Sequence, residues 1–172
     1  MRALAHLRIF FLFLAMLLFA GGCGYHVAGK GGKMPGGVAS VSIPVFLNNT
    51  AKPGIEGTIT GAFVSEFMNT VSVSDTADAV MEGVIKSYSL TAVSFTKSDI
   101  NQEYRLTVIL SIRMKSLKDD KVFWEDLDVT DYEDYAVNAS DVTATKEAEF
   151  EAFRKLSKDT ARRIKERMLE MF

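Results

Sequence analysis

The chain has 172 residues, of which 48% are hydrophobic, and its 20 basic and 22 acidic side chains give a formal net charge of −2. This length is enough for one domain with a single core, and the small acidic excess argues against general nucleic-acid binding, which favours a basic surface. The only cysteine is Cys23, so an intramolecular disulfide is excluded.

The first 22 residues have the pattern of a bacterial secretory signal peptide. Two arginines are followed by an uncharged apolar run over 9–20. The run is about a dozen residues, whereas a membrane-spanning helix needs roughly 20. Three small residues, 20–22, stand directly before Cys23, as in the lipobox of lipoproteins, although Ala20 occupies a position that more often holds leucine. We predict cleavage before Cys23 and acylation of its thiol; the alternative is an ordinary signal peptide followed by a chance cysteine.

Acylation of Cys23 would hold the mature protein on a membrane without any apolar patch on the folded domain. A bacterial lipoprotein carries about two or three acyl chains, and each buried methylene contributes ~0.8 kcal/mol. The next residue is Gly24 rather than aspartate, which in many Gram-negative bacteria directs a lipoprotein to the outer membrane. We expect no cofactor beyond this covalent lipid.

The mature chain is predicted to consist of a tether and one domain. Loss of Arg2 and Arg8 leaves 18 basic residues against 22 acidic ones. Residues 23–37 are rich in glycine, which predicts a flexible tether, and 38–172 are predicted to form a single α+β domain.

The domain is predicted to begin with a strand and a helix. Val41, Ile43, Val45 and Leu47 recur at every second position, which is typical of a strand with one buried face. Pro44 lacks an amide hydrogen and should therefore lie at a sheet edge. Apolar residues over 55–71 lie on one helical face, although two glycines weaken this helix.

Three strands and a long helix are predicted to follow. The segment 79–95 is long enough to require a bulge or a bend, and 103–115 alternates apolar with polar or basic residues. A turn at 118–121 leads to a strand that becomes acidic. A long amphipathic helix then begins near Thr143 or Thr145, where Thr145 offers a hydroxyl cap. This order predicts an α+β two-layer sandwich, with a four-stranded mixed sheet and both amphipathic helices on one face.

The sequence offers no set of residues suited to catalysis or metal binding. His26 is the only histidine of the mature chain and lies in the predicted tether, so we expect no metal site and no histidine-activated nucleophile. A lipid-anchored hydrolase is the disfavoured alternative, and we predict that the protein is not an enzyme. The acids over 125–134 are predicted to guard an exposed strand edge. The bases over 154–167 are predicted to form a solvated helix face.

Four short motifs occur along the mature chain: Cys23-Gly24-Tyr25-His26, Ile43-Pro44-Val45-Phe46-Leu47-Asn48-Asn49-Thr50, Pro53-Gly54-Ile55-Glu56 and Glu103-Tyr104-Arg105-Leu106. With these motifs in this order, the chain resembles the LptE family of lipopolysaccharide-assembly lipoproteins. The resemblance implies a lipid-anchored outer-membrane protein that faces the periplasm or lies in a barrel lumen. Such a protein plugs the LptD β-barrel, assists its assembly and helps deliver lipopolysaccharide to the outer leaflet. The acidic run over 125–134 departs from what the family leads us to expect. An accessory lipoprotein of another envelope transport or secretion complex is the alternative.

The resemblance also implies lipopolysaccharide binding, which requires cations that can contact the phosphates of lipid A. The candidates, chosen by charge and predicted position, are Lys97 at a hairpin tip, Arg105 and Arg113 on a strand, and Lys146 before the last helix. Alternation places the two arginines on the side of the sheet opposite the helices. The alternative for these arginines is an ordinary solvated sheet face.

Overall fold

The computed structural model describes residues 34–95 and 101–170, which form one mixed sheet with two helices packed on it. The elements in chain order are a 3₁₀ turn η1 (Pro35–Gly37), strands β1 (Ser40–Ser42) and β2 (Leu47–Asn48), helix α1 (Ile55–Phe67), strands β3 (Ser72–Val73), β4 (Ala79–Phe95), β5 (Asn101–Ser116) and β6 (Val122–Ala136), and helix α2 (Val142–Glu170). The sheet order is β3-β1-β4-β5-β6, and β2 also pairs with β4. The α+β class is confirmed, but the sheet has six strands rather than four.

Two strands had not been predicted separately. The first predicted strand is divided into β1 and β2, and the segment after α1 adds β3 to the sheet. The strand expected over 38–47 stops at Ser42 because Pro44 cannot donate to a ladder. Beyond Pro44 the alternation changes, so that Phe46 is 2% exposed whereas Leu47 is 60% exposed. Both β1 and β2 pair in parallel with β4, and β3 pairs in parallel with β1. The predicted alternation is therefore wrong beyond Ile43, because Val45 and Leu47 were expected to be buried and are exposed.

The three long strands form an antiparallel meander that makes up most of the sheet. Alternate residues of β5 are almost completely buried, and these are Leu106, Val108, Leu110, Ile112 and Met114. The pairing of β4 with β5 shifts register between Ile85 and Ser87 and again between Ala92 and Ser94. These shifts confirm the bulge predicted for the long strand. One face of the meander is therefore core, and we call it the inner face.

Both helices cover the inner face. Helix α1 contributes Ile59, Phe63 and Phe67, and the ring of Phe63 lies 5.0 Å from that of Phe46. The Phe46 ring in turn lies over Gly83 of β4, where a Cβ atom would come within 2.4 Å of it. The glycine is thus required for the close approach of this aromatic pair to the sheet.

Helix α2 begins at Val142, one residue before Thr143 and three before Thr145, the two predicted starts, and its cap differs from the prediction. The carboxylate of Asp141 accepts a hydrogen bond from the backbone amide of Ala144 at 3.0 Å. The hydroxyl of Thr145 instead donates to the carbonyl of Asn138 at 3.2 Å. The helix is therefore capped by Asp141, because an aspartate directly before the first turn reaches the free amides.

The described chain begins with residues that pack on the domain. Met34 is 5% exposed and belongs to the core, and Gly36 has a φ of 72° beside the ring of Phe123. Residues 34–37, which were assigned to the tether, thus contact the sheet. Cys23, the signal peptide and Lys97 lie outside the described residues. Over the part of the chain that the structure describes, no helix is both long and apolar enough to cross a membrane.

Candidate functional site

Arg105 and Arg113 lie on the outer face of the sheet, opposite the helices, as the alternation predicted. The guanidinium of Arg105 donates to both carboxylate oxygens of Asp134, at 2.7 and 2.8 Å, and lies 4.2 Å from the centre of the Tyr132 ring. These hydrogen bonds from Arg105 hold the pKa of Asp134 below its usual value. Arg113 donates to Glu125 at 3.1 Å. Both arginines are therefore already matched by carboxylates on β6.

The remaining strand cations of the outer face are neutralised in the same way. Lys86 donates to Asp128 at 2.5 Å, and Lys115 forms ion pairs with Glu82 at 3.0 Å and with Asp120 at 3.4 Å. A phosphate would have to compete with these carboxylates for each cation. The outer face consequently has little net charge to attract an anion.

The acidic run of β6 has a role that the sequence did not reveal. Its inner-face acids meet the bases of α2: Arg167 donates to Asp126 at 2.6 Å, Lys155 donates to Glu133, and Arg163 donates to Asp131. Neither charged run is thus simply a solvated face. The position of β6 at the sheet edge agrees with the predicted edge guard.

Lys146, which was expected before the last helix, lies on the first turns of α2, beside a cavity of about 360 Å³. The cavity is lined by Lys52, Ile55, Tyr88, Lys146, Glu149, Phe150 and Phe153. Lys146 is exposed and makes no hydrogen bond or ion pair with any residue in the described ranges. Among the predicted candidates that the structure describes, Lys146 is therefore the one whose side chain can bind an anion without first leaving a carboxylate.

A partly buried carboxylate organises the cavity. Glu149 has a side chain that is 14% exposed, and it accepts bonds from the Lys52 ammonium at 2.7 Å and the Tyr88 hydroxyl at 2.6 Å. Burial acts to raise the pKa of Glu149, but the bonds from Lys52 and Tyr88 and the charge of Lys146 outweigh it, so that the pKa is lowered. Burial, reinforced by the bond to Glu149, raises the pKa of Tyr88. The cavity lining therefore combines the side chains of two lysines with one partly buried carboxylate.

This arrangement suits an amphiphile with an anionic group. Lys146 can meet a phosphate while Lys52 remains paired, and Ile55, Phe150 and Phe153 offer an apolar wall. Phe150 is 55% exposed and also borders a larger groove of about 800 Å³ between the two helices. That groove is lined by two glycines and Ala62 on one side and by Arg154 and Lys158 on the other. Its lining also includes the polar side chains Thr58, Ser65, Glu66, Asn69 and Glu151, so the groove is mixed in character and shares only Phe150 with the cavity.

Sequence reasoning missed Lys52, Tyr88 and Glu149, which complete the cavity around Lys146. Lys52 lies in the loop directly before α1, and the Pro53-Gly54 turn at the start of the helix was the only local signal near it. Tyr88 comes from β4 and Glu149 from α2, so no local pattern joins them. Among the described residues, no group of three or more His, Cys, Asp or Glu residues could hold a metal ion.

Comparisons with known proteins agree with this architecture. The model of a family described as LptE, lipopolysaccharide-assembly, matches residues 38–168. Comparison with curated proteins gives no match. The crystal structure of a candidate lipoprotein from Caulobacter crescentus has 10% sequence identity and a TM-score of 0.52, over 74% of this chain and 89% of that one. The rare lipoprotein B from Shewanella oneidensis has 15% identity and a TM-score of 0.51, over 77% and 95% of the respective chains. At these identities the two structures share the fold of this chain.

Proposed function

This chain belongs to the LptE lipopolysaccharide-assembly family, and from that membership we propose its role. It is an outer-membrane lipoprotein that plugs the LptD β-barrel, assists the assembly of that barrel and helps to deliver lipopolysaccharide to the outer leaflet. The family match over 38–168 carries this proposal, because it covers both helices and all six strands almost completely.

Anchoring by a lipid on Cys23 supports a position close to the membrane. Met34 is the first described residue and packs in the core. The chain between Cys23 and Met34 can extend at most about 36 Å, at ~3.3 Å per residue. The domain is therefore held near the membrane surface at which a barrel opens.

The paired charges of the sheet support a position inside a barrel. An unpaired charge costs several kcal/mol or more when a partner surface removes it from water, whereas a paired charge costs much less. On the outer face Arg105 is paired with Asp134 and Arg113 with Glu125. Such a surface can be enclosed by a barrel wall without leaving a strand cation unmatched.

The cavity around Lys146 supports contact with lipopolysaccharide. The ammonium of Lys146 would bind a lipid A phosphate, with Lys52 close by, and the apolar wall at Phe150 would contact an acyl chain. Lys97 remains a candidate outside the described residues. Arg105 and Arg113 would contribute only if a phosphate displaced Asp134 or Glu125.

Binding of purified lipopolysaccharide by the lipidated protein tests this assignment. We expect Lys146→Glu to weaken binding at least tenfold, because a charge-assisted contact is worth ~1.5–3 kcal/mol. Lys118→Glu is the control, since Lys118 is also exposed but lies in the β5–β6 turn. Equal affinities of the two variants would remove Lys146 from the site. If neither variant nor the wild type binds lipopolysaccharide, the delivery role is wrong.

A further inference from the structure

One edge of β4 is open along its distal half. The parallel pairing with β2 ends where Asn48 faces Ile85, and the amide of Asn49 donates to the carbonyl of Ile85 at 3.0 Å. From there to Phe95, no residue in the described ranges bonds to the β4 backbone on the side away from β5. The open edge, 87–95, therefore has backbone donors and acceptors without a protein partner there.

Alternation identifies which backbone groups point out of this edge. The carbonyl of Ile85 accepts a hydrogen bond from the β2 side. In the Ile85–Leu110 pair, the backbone groups of the β4 residue therefore point away from β5. Every second residue of β5 repeats this geometry. The same orientation therefore holds at Tyr88, Leu90 and Ala92, which face Val108, Leu106 and Tyr104.

The side chains along the open edge also differ from those of a protected edge. Residues 87–95 read Ser-Tyr-Ser-Leu-Thr-Ala-Val-Ser-Phe and include no charge and no proline. The opposite edge of the sheet, β6, carries Glu125, Asp126, Asp128, Asp131, Glu133 and Asp134. Charged side chains and prolines are the usual means of preventing strand addition; β6 carries charged side chains, whereas residues 87–95 carry neither.

A pair of leucines shows that the apolar inner face is left partly uncovered at this edge. Leu90 and Leu106 face each other across β4 and β5 on the inner face. Leu106 is 0% exposed, whereas Leu90 is 41% exposed because nothing described lies beyond it at the edge. A strand added along β4 would cover Leu90 and satisfy its backbone at the same time.

We propose that the open edge 87–95 receives an extended segment of the β-barrel partner by β-strand addition. This inference rests on the proposed function, since a plug that fills a barrel lumen meets the barrel chain rather than a second copy of itself. The barrel's own strands are closed on one another, so a loop or terminal segment supplies the added strand. Its side chains alternate, with apolar residues beside Leu90 and small polar residues beside Ser89 and Thr91.

Hydrogen exchange of the lipidated protein, alone and in its purified barrel complex, tests the proposal. Strand addition slows exchange of the Tyr88, Leu90 and Ala92 amides at least tenfold in the complex, because those amides become hydrogen-bonded. Simple packing of a side chain against this edge would leave the backbone amides unbonded. Unchanged exchange at all three amides in an intact complex overturns the inference and leaves the proposed function standing.

A matched pair of edge variants gives an independent readout. Leu90→Lys places a charge on the open edge and is expected to reduce barrel recovery at least fivefold, whereas Leu117→Lys, the same change at an exposed leucine in the β5–β6 turn, leaves it unchanged. Circular dichroism of both variants establishes that they fold. Equal recovery with Leu90→Lys and wild type overturns the inference, as does crosslinking of position 90 to residues 23–33 or to a second copy. If the wild type itself recovers no barrel, both the inference and the proposed partner are wrong.

Discussion

Asp131 of β6 and Arg163 of α2 form a two-point ion pair that fixes the edge strand to the long helix. The guanidinium donates to the two carboxylate oxygens at 2.8 and 2.5 Å. Asp131 also accepts a hydrogen bond from the hydroxyl of Thr160, which is completely buried. The acidic edge strand is thereby attached to the helix layer that covers the core.

Removal of the Asp131 carboxylate should destabilise the domain. Asp131→Ala leaves the buried Thr160 hydroxyl without its acceptor, and we expect a loss of about 1–3 kcal/mol in the free energy of unfolding. Asp128→Ala is the control, because Asp128 is 76% exposed in its pair with Lys86 and should change stability by less than ~0.5 kcal/mol. Urea denaturation measures both. Equal stabilities would show that the Asp131 cluster contributes nothing to folding.

The contact of Phe46 with the sheet predicts opposite effects of two glycine substitutions. Gly83→Ala places a methyl group within 2.4 Å of the Phe46 ring and should cost about 1–3 kcal/mol. Gly61→Ala lies in helix α1 with nothing within 4 Å of the added carbon and should stabilise by ~0.5–1 kcal/mol. Thermal or chemical denaturation distinguishes the signs. A neutral Gly83→Ala would mean that Phe46 does not pack against β4.

The cavity carboxylate predicts a specific loss of stability in acid. The folded-state pKa of Glu149 lies below the ordinary value of 4.5, so its contribution is fully present above that value and is lost as the pH falls through the folded pKa. Glu149→Gln should therefore lower stability at neutral pH and make its decline below about pH 4.5 shallower. Glu147→Gln, an exposed change on the same turn of α2, should leave the shape of the pH profile unchanged. Parallel profiles for Glu149→Gln and wild type would contradict the described bonding.

Much of the fold followed from residue periodicity. The period-two pattern of β5 and the three-and-four spacing of α2 were long enough to predict both elements and, for β5, the buried face. The two-residue strands β2 and β3 were not predicted as separate strands, because two residues carry no periodicity and their position depends on pairing with β4 and β1.

The candidate site was less predictable because its contacts join distant parts of the chain. Lys52 and Glu149 are 97 residues apart in sequence, and Tyr88 and Glu149 are 61 apart. The charge of Lys146 was evident from sequence, but the ion pairs that occupy Arg105 and Arg113 depend on the β5–β6 register. Sequence reasoning therefore found the cations without showing which of them are already paired.

Lipidation can be tested by the intact mass of the protein purified from membranes. We expect a chain beginning at Cys23 and carrying acyl chains, and we expect Cys23→Ala to release the protein from the membrane fraction. Retention of the alanine variant in membranes would require another means of attachment.

The central claim is that this protein works as the partner of an outer-membrane β-barrel in lipopolysaccharide assembly. Its most direct test is affinity purification of the mature lipidated protein from solubilised outer membrane, followed by mass spectrometry and quantification. The proposal predicts recovery of an LptD-like barrel in a roughly stoichiometric amount. Recovery of an inner-membrane transporter or another secretion complex in place of the barrel would contradict the proposal.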